Sequence, residues 1–238
     1  MSIDSLYSVK RFVRRNSSPP WVALLGSHGS GKSTVLKALE SDFNSPLFTG
    51  VKTIYRRLDF LGQPPKAGGP VIDHYAHPLH GRVKSVVKLG IRALDWLLGY
   101  WSRWKYQRAR GYLLLLDRHY FLDVSVDPLR YRYGGPLWLA RLLGDLLPGP
   151  DLFILLDAPV EVVRNRKQEV SLDEGIRQRA AYLRLVQTRS DAYVVDASKP
   201  LPQVVADVKT IILNYINENI QIQESQTQFD ISIYEGDQ

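Results

Sequence analysis

WVALLGSHGSGKSTVLKALES, residues Trp21 to Ser41, decides the fold of this chain. Its middle part, GSHGSGKS at positions 26–33, matches the pattern G-x-x-x-x-G-K-[ST] at every fixed position. Glycines let backbone N–H groups approach phosphate oxygens, and the N-terminus of a following helix adds partial positive charge there. The pattern follows an apolar run and precedes a helical one, which is the context that the motif requires. The stretch therefore predicts a strand, a phosphate-binding loop and a helix.

The residue types in this loop predict a nucleoside triphosphate and Mg²⁺ as ligands. We expect Lys32 to reach the β- and γ-phosphates and the Ser33 hydroxyl to ligate Mg²⁺. The candidate nucleotide-binding residues are Gly26, Ser27, His28, Gly29, Ser30, Gly31, Lys32, Ser33 and Thr34. The loop alone does not decide whether the γ-phosphate goes to water, to a small molecule or nowhere.

The rest of the chain predicts an α/β fold. Four short apolar runs are typical of buried parallel strands: Val22–Leu25, Tyr112–Leu116, Leu152–Leu156 and Ala192–Val195. Helical patterns lie between and after them: Ser33–Leu39, 82–110, Ser171 to about Val186, and Leu201 to about Ile216. Strands that alternate with helices indicate a three-layer α/β/α P-loop domain with a central parallel sheet, a single domain over residues 21–218. Residues 1–20 are predicted to form a basic arm. Residues 219–238 are predicted to form a polar, disordered tail, although FDISIY could add an edge strand or bind a partner.

The net positive charge of the chain is concentrated in one segment. The net charge is +7, and the segment 82–110 carries eight basic residues and one acidic residue, an excess equal to the whole net charge. Five aromatic residues interleave with these bases, which is compatible with core helices, with a helix on an anionic membrane surface, or with nucleic acid. No base-reading module is recognisable, which disfavours nucleic acid.

The chain has no cysteine, so disulfides and thiolate metal sites are excluded. No apolar run approaches the roughly 20 residues of a membrane span, and the polar N-terminus does not resemble a secretory signal. We expect a cytoplasmic protein, either free or associated with a membrane surface.

Asp117 and Arg118 directly follow the apolar run YLLLL, at the strand edge where ligands gather in open α/β sheets. Asp117 is a candidate to hold Mg²⁺ through water or to take the proton of an acceptor. Arg118 is a candidate to bind an anionic acceptor or to stabilise the negative charge of the transition state. The alternative is a buried Asp–Arg ion pair that ties the strand to a helix.

DRH at 117–119 resembles the Asp-Arg-Tyr/His motif of the thymidylate kinases, within the P-loop nucleotide kinases. YRYGGP at 131–136 is similar to their Tyr-Gln-Gly-Gly stretch, and LFILLDAPVEVVRNR at 152–166 to their strand-then-arginine segment. The resemblance runs from about Trp21 to Ile212. It implies ATP as donor, Mg²⁺, and transfer of the γ-phosphoryl group to a small acceptor, with dTMP as first candidate. It also implies a lid at about 164–175, homodimers formed through helices, and three sets of candidate residues: Arg166 as lid arginine, Arg164, Arg177 and Arg179 as helpers, and Ser198 with Lys199 beside adenine.

The sequence departs from this family on the acceptor side. His28 stands where the family usually has an acidic residue, and Arg132 where glutamine is typical. The family's Arg-Glu-Pro-Gly-Gly run is not recognisable, and Arg56 or Arg57 is its nearest substitute. The acceptor therefore stays open between a nucleotide and a sugar or lipid-linked glycan at a membrane surface. A non-catalytic ATP-binding switch is the alternative to a kinase.

Overall fold

The computed structural model describes residues 18–27, 29–54, 78–166 and 171–236, with side chains described as far as residue 221. Four predictions fall wholly or partly outside these ranges. They concern most of the N-terminal arm, His28, Arg56 with Arg57, and the middle of the proposed lid.

Five parallel strands form one sheet in the order β2-β3-β1-β4-β5. The strands are β1 (Trp21–Leu25), β2 (Gly50–Ile54), β3 (Tyr112–Asp117), β4 (Leu152–Asp157) and β5 (Ala192–Asp196). The helices are α1 (Lys32–Asp42), α2 (Arg82–Gly99), α3 (Lys105–Ala109), α4 (Tyr120–Val126), α5 (Leu137–Leu146), α6 (Val160–Arg166), α7 (Leu172–Gln187) and α8 (Leu201–Gly236). A π-helical turn, Tyr100–Trp104, joins α2 to α3, so the predicted helical segment 82–110 is nearly continuous.

The sheet lies between two helical layers, as the α/β/α prediction requires. Successive side chains of a strand point to opposite faces. Val22 and Leu24 join the core that contains α1 and α8. Trp21, Ala23 and Leu25 join the core that contains α2, α4 and α7. Every residue of β1 is completely buried, because both faces of the central strand are covered.

Three features of the fold differ from the sequence prediction. β5 was predicted as a buried strand, but it lies at the edge of the sheet and is mostly exposed. The edge strand β2 was not predicted, because its first four residues are only half-buried and its sequence GVKTI has a weak apolar signal. The disordered tail and its edge-strand alternative are wrong, because α8 continues past Ile216 to Gly236. Residues 203–235 contain no glycine or proline, so no helix breaker stops the propagation.

The topology brings the candidate site to one edge. β1 lies between β3 and β4, so the strand order reverses at β1. At such a point the connections after neighbouring strands lead to opposite sides of the sheet, and a crevice opens at the carboxyl ends of the strands. The phosphate loop leaves β1 at this point. Asp117 at the end of β3 is in register with Leu24 of β1. In the ranges that the structure describes, no helix has the length and apolar character needed to cross a bilayer.

Candidate active site

The loop after β1 has the backbone that the glycine pattern predicts. Gly26, Gly29 and Gly31 have φ angles of 143°, 81° and 89°, which side chains rarely adopt. A Cβ on Gly26 would lie 2.7 Å from the carbonyl oxygen of Leu156 and 2.8 Å from the hydroxyl of Ser30. Glycine at position 26 therefore satisfies two demands, a positive φ and close packing against β4.

Lys32 lies inside this loop. Its Nζ donates hydrogen bonds to the carbonyl oxygens of Gly26 (2.8 Å) and Ser27 (2.6 Å) and to the hydroxyl of Ser30 (3.0 Å). The side chain is buried, and this burial, followed by the nearby charge of Arg118, holds the pKa of Lys32 well below its usual value. The loop thus carries a desolvated ammonium group among backbone dipoles.

The N-terminus of α1 completes the cradle. The amides of Thr34 and Val35 both donate to the carbonyl of Gly31 at 3.0 Å. The amides that precede them at the start of a helix generally have no intrahelical acceptor, so they can donate to an anion. The first turn contains no acidic residue that would compete with an anion. Ser33 and Thr34 are exposed at this end of the helix, so their hydroxyls are accessible to a ligand.

Asp117 has the character of a cation ligand. Among the described residues, its buried Oδ1 has no hydrogen-bond partner, and its charge acts on Lys32. An orphaned carboxylate oxygen, whose charge acts on the lysine that precedes Ser33, fits Mg²⁺, which takes one or two protein oxygens and fills its octahedron with phosphate and water. The described residues contain no group of three or more His, Cys, Asp or Glu side chains that could hold a metal ion, and the role of Ser33 and Asp117 as Mg²⁺ ligands stays a prediction.

Arg118 is paired with a residue that the sequence analysis did not identify. Its Nη1 donates to Oδ2 of Asp123 on α4 at 3.2 Å and to the hydroxyl of Tyr182 on α7 at 3.4 Å. Burial alone would lower the pKa of Arg118, but Asp123, with smaller contributions from Tyr182, Tyr131 and Asp117, raises it overall. A buried ion pair that ties the strand end to a helix therefore exists, as the alternative interpretation proposed, but its carboxylate is Asp123 and not Asp117. The only sequence signal was one acidic residue within the apolar stretch FLDVSV.

His119, the third residue of the DRH motif, has a structural role. Its Nδ1 accepts a hydrogen bond from the amide of Leu122 and so caps α4. The ring is completely buried and lies edge-on to Trp96, with centroids 5.0 Å apart. Burial lowers the pKa of His119 to about 4, so the ring is neutral at physiological pH.

Three of the four candidate arginines of the lid region, Arg166, Arg177 and Arg179, have protein partners in the described structure. Arg166 donates from Nη1 to the carbonyl of Ala197 at 2.9 Å, which ties the end of α6 to the loop after β5. Arg179 forms two hydrogen bonds of 2.8 Å with Asp157. Arg177 pairs with Glu174 at 2.7 and 2.6 Å. The catalytic role of Arg166 stays a prediction, and Arg177 and Arg179 serve as ion-pair residues here.

Two further predicted features belong to segments other than the phosphate loop. Ser198 bonds to the carboxylate of Asp196 through its amide and its hydroxyl, which lowers the pKa of Asp196. Its place beside adenine stays a prediction. In the basic aromatic segment, Trp96 and Trp104 pack on Trp21 with centroids 5.6 and 5.0 Å away. Trp101 is instead 62% exposed.

Two curated proteins are similar to part of this chain. A probable thymidylate kinase of Archaeoglobus fulgidus is 32% identical over 114 residues, which make up 45% of this chain and 56% of that protein. Probable thymidylate kinase 1 of Saccharolobus solfataricus is 33% identical over 111 residues, 42% of this chain and 54% of that protein. The chain thus spans about half the length of the curated relatives it matches. No protein-family model matches the chain.

A solved structure has the same fold. Thymidylate kinase from Candida albicans superposes with a TM-score of 0.58 at 18% identity, over 85% of this chain and 94% of that one. At this identity the likeness shows the fold alone. The fold neighbour and the two curated relatives nevertheless carry the same family description.

Proposed function

We propose that this chain, a thymidylate-kinase-like P-loop protein in fold and in sequence, transfers the γ-phosphoryl group of Mg-ATP to a small acceptor. The observation that carries the proposal is the convergence of Lys32, Asp117 and Arg118 at the carboxyl edge of β1 and β3. An ammonium, a carboxylate with a free oxygen and a guanidinium are the groups that phosphoryl transfer uses for positioning and charge stabilisation.

Each residue then has a defined task. The loop amides and Lys32 bind the β- and γ-phosphates, with Lys32 exchanging its contacts to the loop oxygens for phosphate oxygens. Ser33 and Asp117 would hold Mg²⁺, which when bound supplies neutralisation of the charge on the phosphates. Asp117 is alternatively placed to accept the proton of an acceptor hydroxyl. Arg166 and Ser198 are the proposed contacts to the transferred group and to adenine.

The acceptor we propose first is dTMP or a related nucleotide. Among the described residues, hydrogen bonds reach only Nη1 of Arg118, so its Nε and Nη2 remain available as a fork for an oxyanion. A monophosphate acceptor carries such an oxyanion. A nucleoside or a neutral sugar does not.

An assay of ADP release with Mg-ATP tests this function. We expect turnover with dTMP far above that with other nucleoside monophosphates, deoxynucleosides and sugars. Asp117→Asn should lower kcat by about 10²–10⁴-fold while ATP still binds. ATP binding without turnover for any acceptor would instead indicate a non-catalytic ATP switch. The absence of ATP affinity in the presence of Mg²⁺ would overturn the proposal entirely.

A second candidate acceptor is a sugar or lipid-linked glycan, phosphorylated in the cytoplasm at an anionic membrane surface. The observation that favours it is an apolar face of the segment α2–α3 that lies exposed at helical spacing: Val83, Val87, Ile91, Leu94, Leu98 and Trp101. The same segment carries the eight basic residues, and its one acidic residue, Asp95, is buried near Arg92. Apolar and aromatic side chains with Lys and Arg suit anionic lipid interfaces.

Vesicle binding separates this candidate from a nucleotide kinase free in solution. We expect sedimentation with phosphatidylglycerol vesicles and not with phosphatidylcholine vesicles, and loss of binding in Trp101→Ala. Trp138→Ala is the matched control, because Trp138 is similarly exposed (65%) but lies on α5. Light scattering that shows a homodimer, disrupted by Trp101→Ala, would mean that a second copy covers this face.

A further inference from the structure

A buried network of polar side chains surrounds one end of Arg118. The hydroxyl of Tyr182 accepts from Nη1 of Arg118 and donates to Oδ1 of Asp123 at 2.9 Å. The hydroxyl of Tyr131 donates to Oδ2 of Asp123 at 3.2 Å, the same oxygen that accepts from Arg118. Asp123 is completely buried and Tyr182 is 3% exposed, so water does not replace these bonds when one is lost.

The backbone at Arg118 requires such support. Its φ is 72°, in the left-handed region that residues with a Cβ avoid. Its amide donates to the carbonyl of Leu24 at 3.2 Å, which extends the pairing of β3 with β1 by one residue. A residue in this region persists only where surrounding contacts determine it, and such residues cluster at functional sites.

Helix α7 holds Tyr182 at a fixed place. One turn before Tyr182, Gln178 donates to Oδ2 of Asp127 at 3.0 Å, and Arg177 donates to the carbonyl of Val126 at 3.1 Å. Residues 178 and 182 lie on the same face of the helix. The face of α7 that carries Tyr182 is therefore fastened to the end of α4 and to the residue that follows it.

We propose that Asp123 and Tyr182 are positioning residues for phosphoryl transfer: they hold Nη1 of Arg118 so that its remaining donors stay beside the phosphate loop. Asp123 cannot act as a base, because both its oxygens accept hydrogen bonds and its side chain is 1% exposed. Tyr182 lies on α7 and its hydroxyl contacts Nη1 of Arg118, so it acts through the guanidinium. The inference rests on the proposed function, in which Arg118 contacts the acceptor or the transferred group.

Steady-state kinetics with Mg-ATP and dTMP test this role in Tyr182→Phe, Arg118→Lys and the double variant. We expect Tyr182→Phe to lower kcat by about tenfold, with KM for ATP changed by less than about twofold. In the Arg118→Lys background, Tyr182→Phe should have no further effect on kcat, because the group that it positions is gone. Ser125→Ala is the matched control: it removes a buried hydroxyl from α4 that, among the described residues, bonds only within the helix, and it should leave kcat unchanged.

A second readout needs no turnover. The guanidinium ¹⁵N–¹H signals of Arg118 should shift and broaden in Tyr182→Phe and stay unchanged in Ser125→Ala. If dTMP and every other acceptor are inert, the proposed function fails while this experiment still tests the positioning. Unchanged Arg118 signals, or effects on kcat that simply multiply with those of Arg118→Lys, would overturn the inference. If Tyr182→Phe does not fold, Tyr131→Phe removes a half-buried hydroxyl from the same carboxylate, and a kcat unaffected by that change would also overturn it.

Discussion

Replacing Gly26 by alanine tests the packing of the phosphate loop on the sheet. The new Cβ would meet the carbonyl oxygen of Leu156 at 2.7 Å, and this backbone atom cannot swing away because β4 is paired with β1. The positive φ of 143° adds backbone strain of about 1–3 kcal/mol, and the overpacking adds about 1–3 kcal/mol. We therefore expect Gly26→Ala to lower the free energy of unfolding by about 2–6 kcal/mol.

Two other glycines separate these contributions. Gly31 also has a positive φ, but no atom lies within 4 Å of its would-be Cβ, so Gly31→Ala should cost only the strain, about 1–2 kcal/mol. Gly90 lies within α2 with open space around it and no positive φ, so Gly90→Ala should stabilise the protein by about 0.5–1 kcal/mol.

Urea unfolding followed by circular dichroism measures all three variants, and thermal melting should show Gly26→Ala roughly 5–20 °C below the parent protein. ATP affinity, measured by calorimetry on the folded variants, should fall most for Gly26→Ala, because relief of the clash displaces the loop. A Gly26→Ala variant no less stable than Gly31→Ala would show that Gly26 does not lie against Leu156, and the site geometry built on that contact would be wrong.

Three further predictions concern single side chains. Lys32→Met should weaken ATP binding and lower kcat/KM by roughly 10²–10³-fold, as calorimetry and the ADP assay would show; an unchanged affinity would refute the role of the loop. The pKa of His119 in the folded protein is about 4, below the ordinary value of 6.5. Between these two pH values the unfolded chain binds more protons than the folded one, so the free energy of unfolding falls by about 3 kcal/mol as the pH drops from 6.5 to 4. His119→Asn keeps a capping acceptor and should remove this slope in urea titrations at a series of pH values; a persistent slope would contradict the buried neutral ring. Ser171→Ala removes the acceptor for the amide of Glu174 at the start of α7 and should cost about 1 kcal/mol in urea unfolding, whereas an exposed Ser41→Ala should cost less.

The sheet was predictable where burial is complete on both faces. β1, β3 and β4 are almost wholly buried, and such strands appear as uninterrupted apolar runs. β2 lies at the edge of the sheet and is half-buried, so its five residues give too weak a pattern. The length of α8 was missed for the opposite reason: a polar composition was interpreted as disorder, although a polar sequence without breakers can continue a helix that packing has already started.

The candidate site was predictable where chemistry fixes the residue types. Phosphate binding requires glycines, a lysine and a hydroxyl at a set spacing, so the loop is recognisable in the sequence. Charged residues directly after a buried strand lie at the edge where ligands bind, which indicates a functional role for Asp117 and Arg118. The partners of Arg118 could not be predicted, because Tyr182 and Asp123 are 59 positions apart and meet only when α7 packs on α4. The structure likewise gives His119 a capping role that the three letters DRH do not indicate.

The stacked indoles at the start of β1 provide a natural optical probe. Trp21 lies five residues before the first loop glycine and packs on Trp96 and Trp104, while Trp101 and Trp138 stand in solvent. Iodide quenching should remove the emission of the two outer indoles and leave that of the inner three, and excitonic coupling among the inner rings should mark the near-ultraviolet dichroism. Nucleotide-induced movement of the strand that carries the loop would then be visible without any label, through chromophores that the chain already possesses.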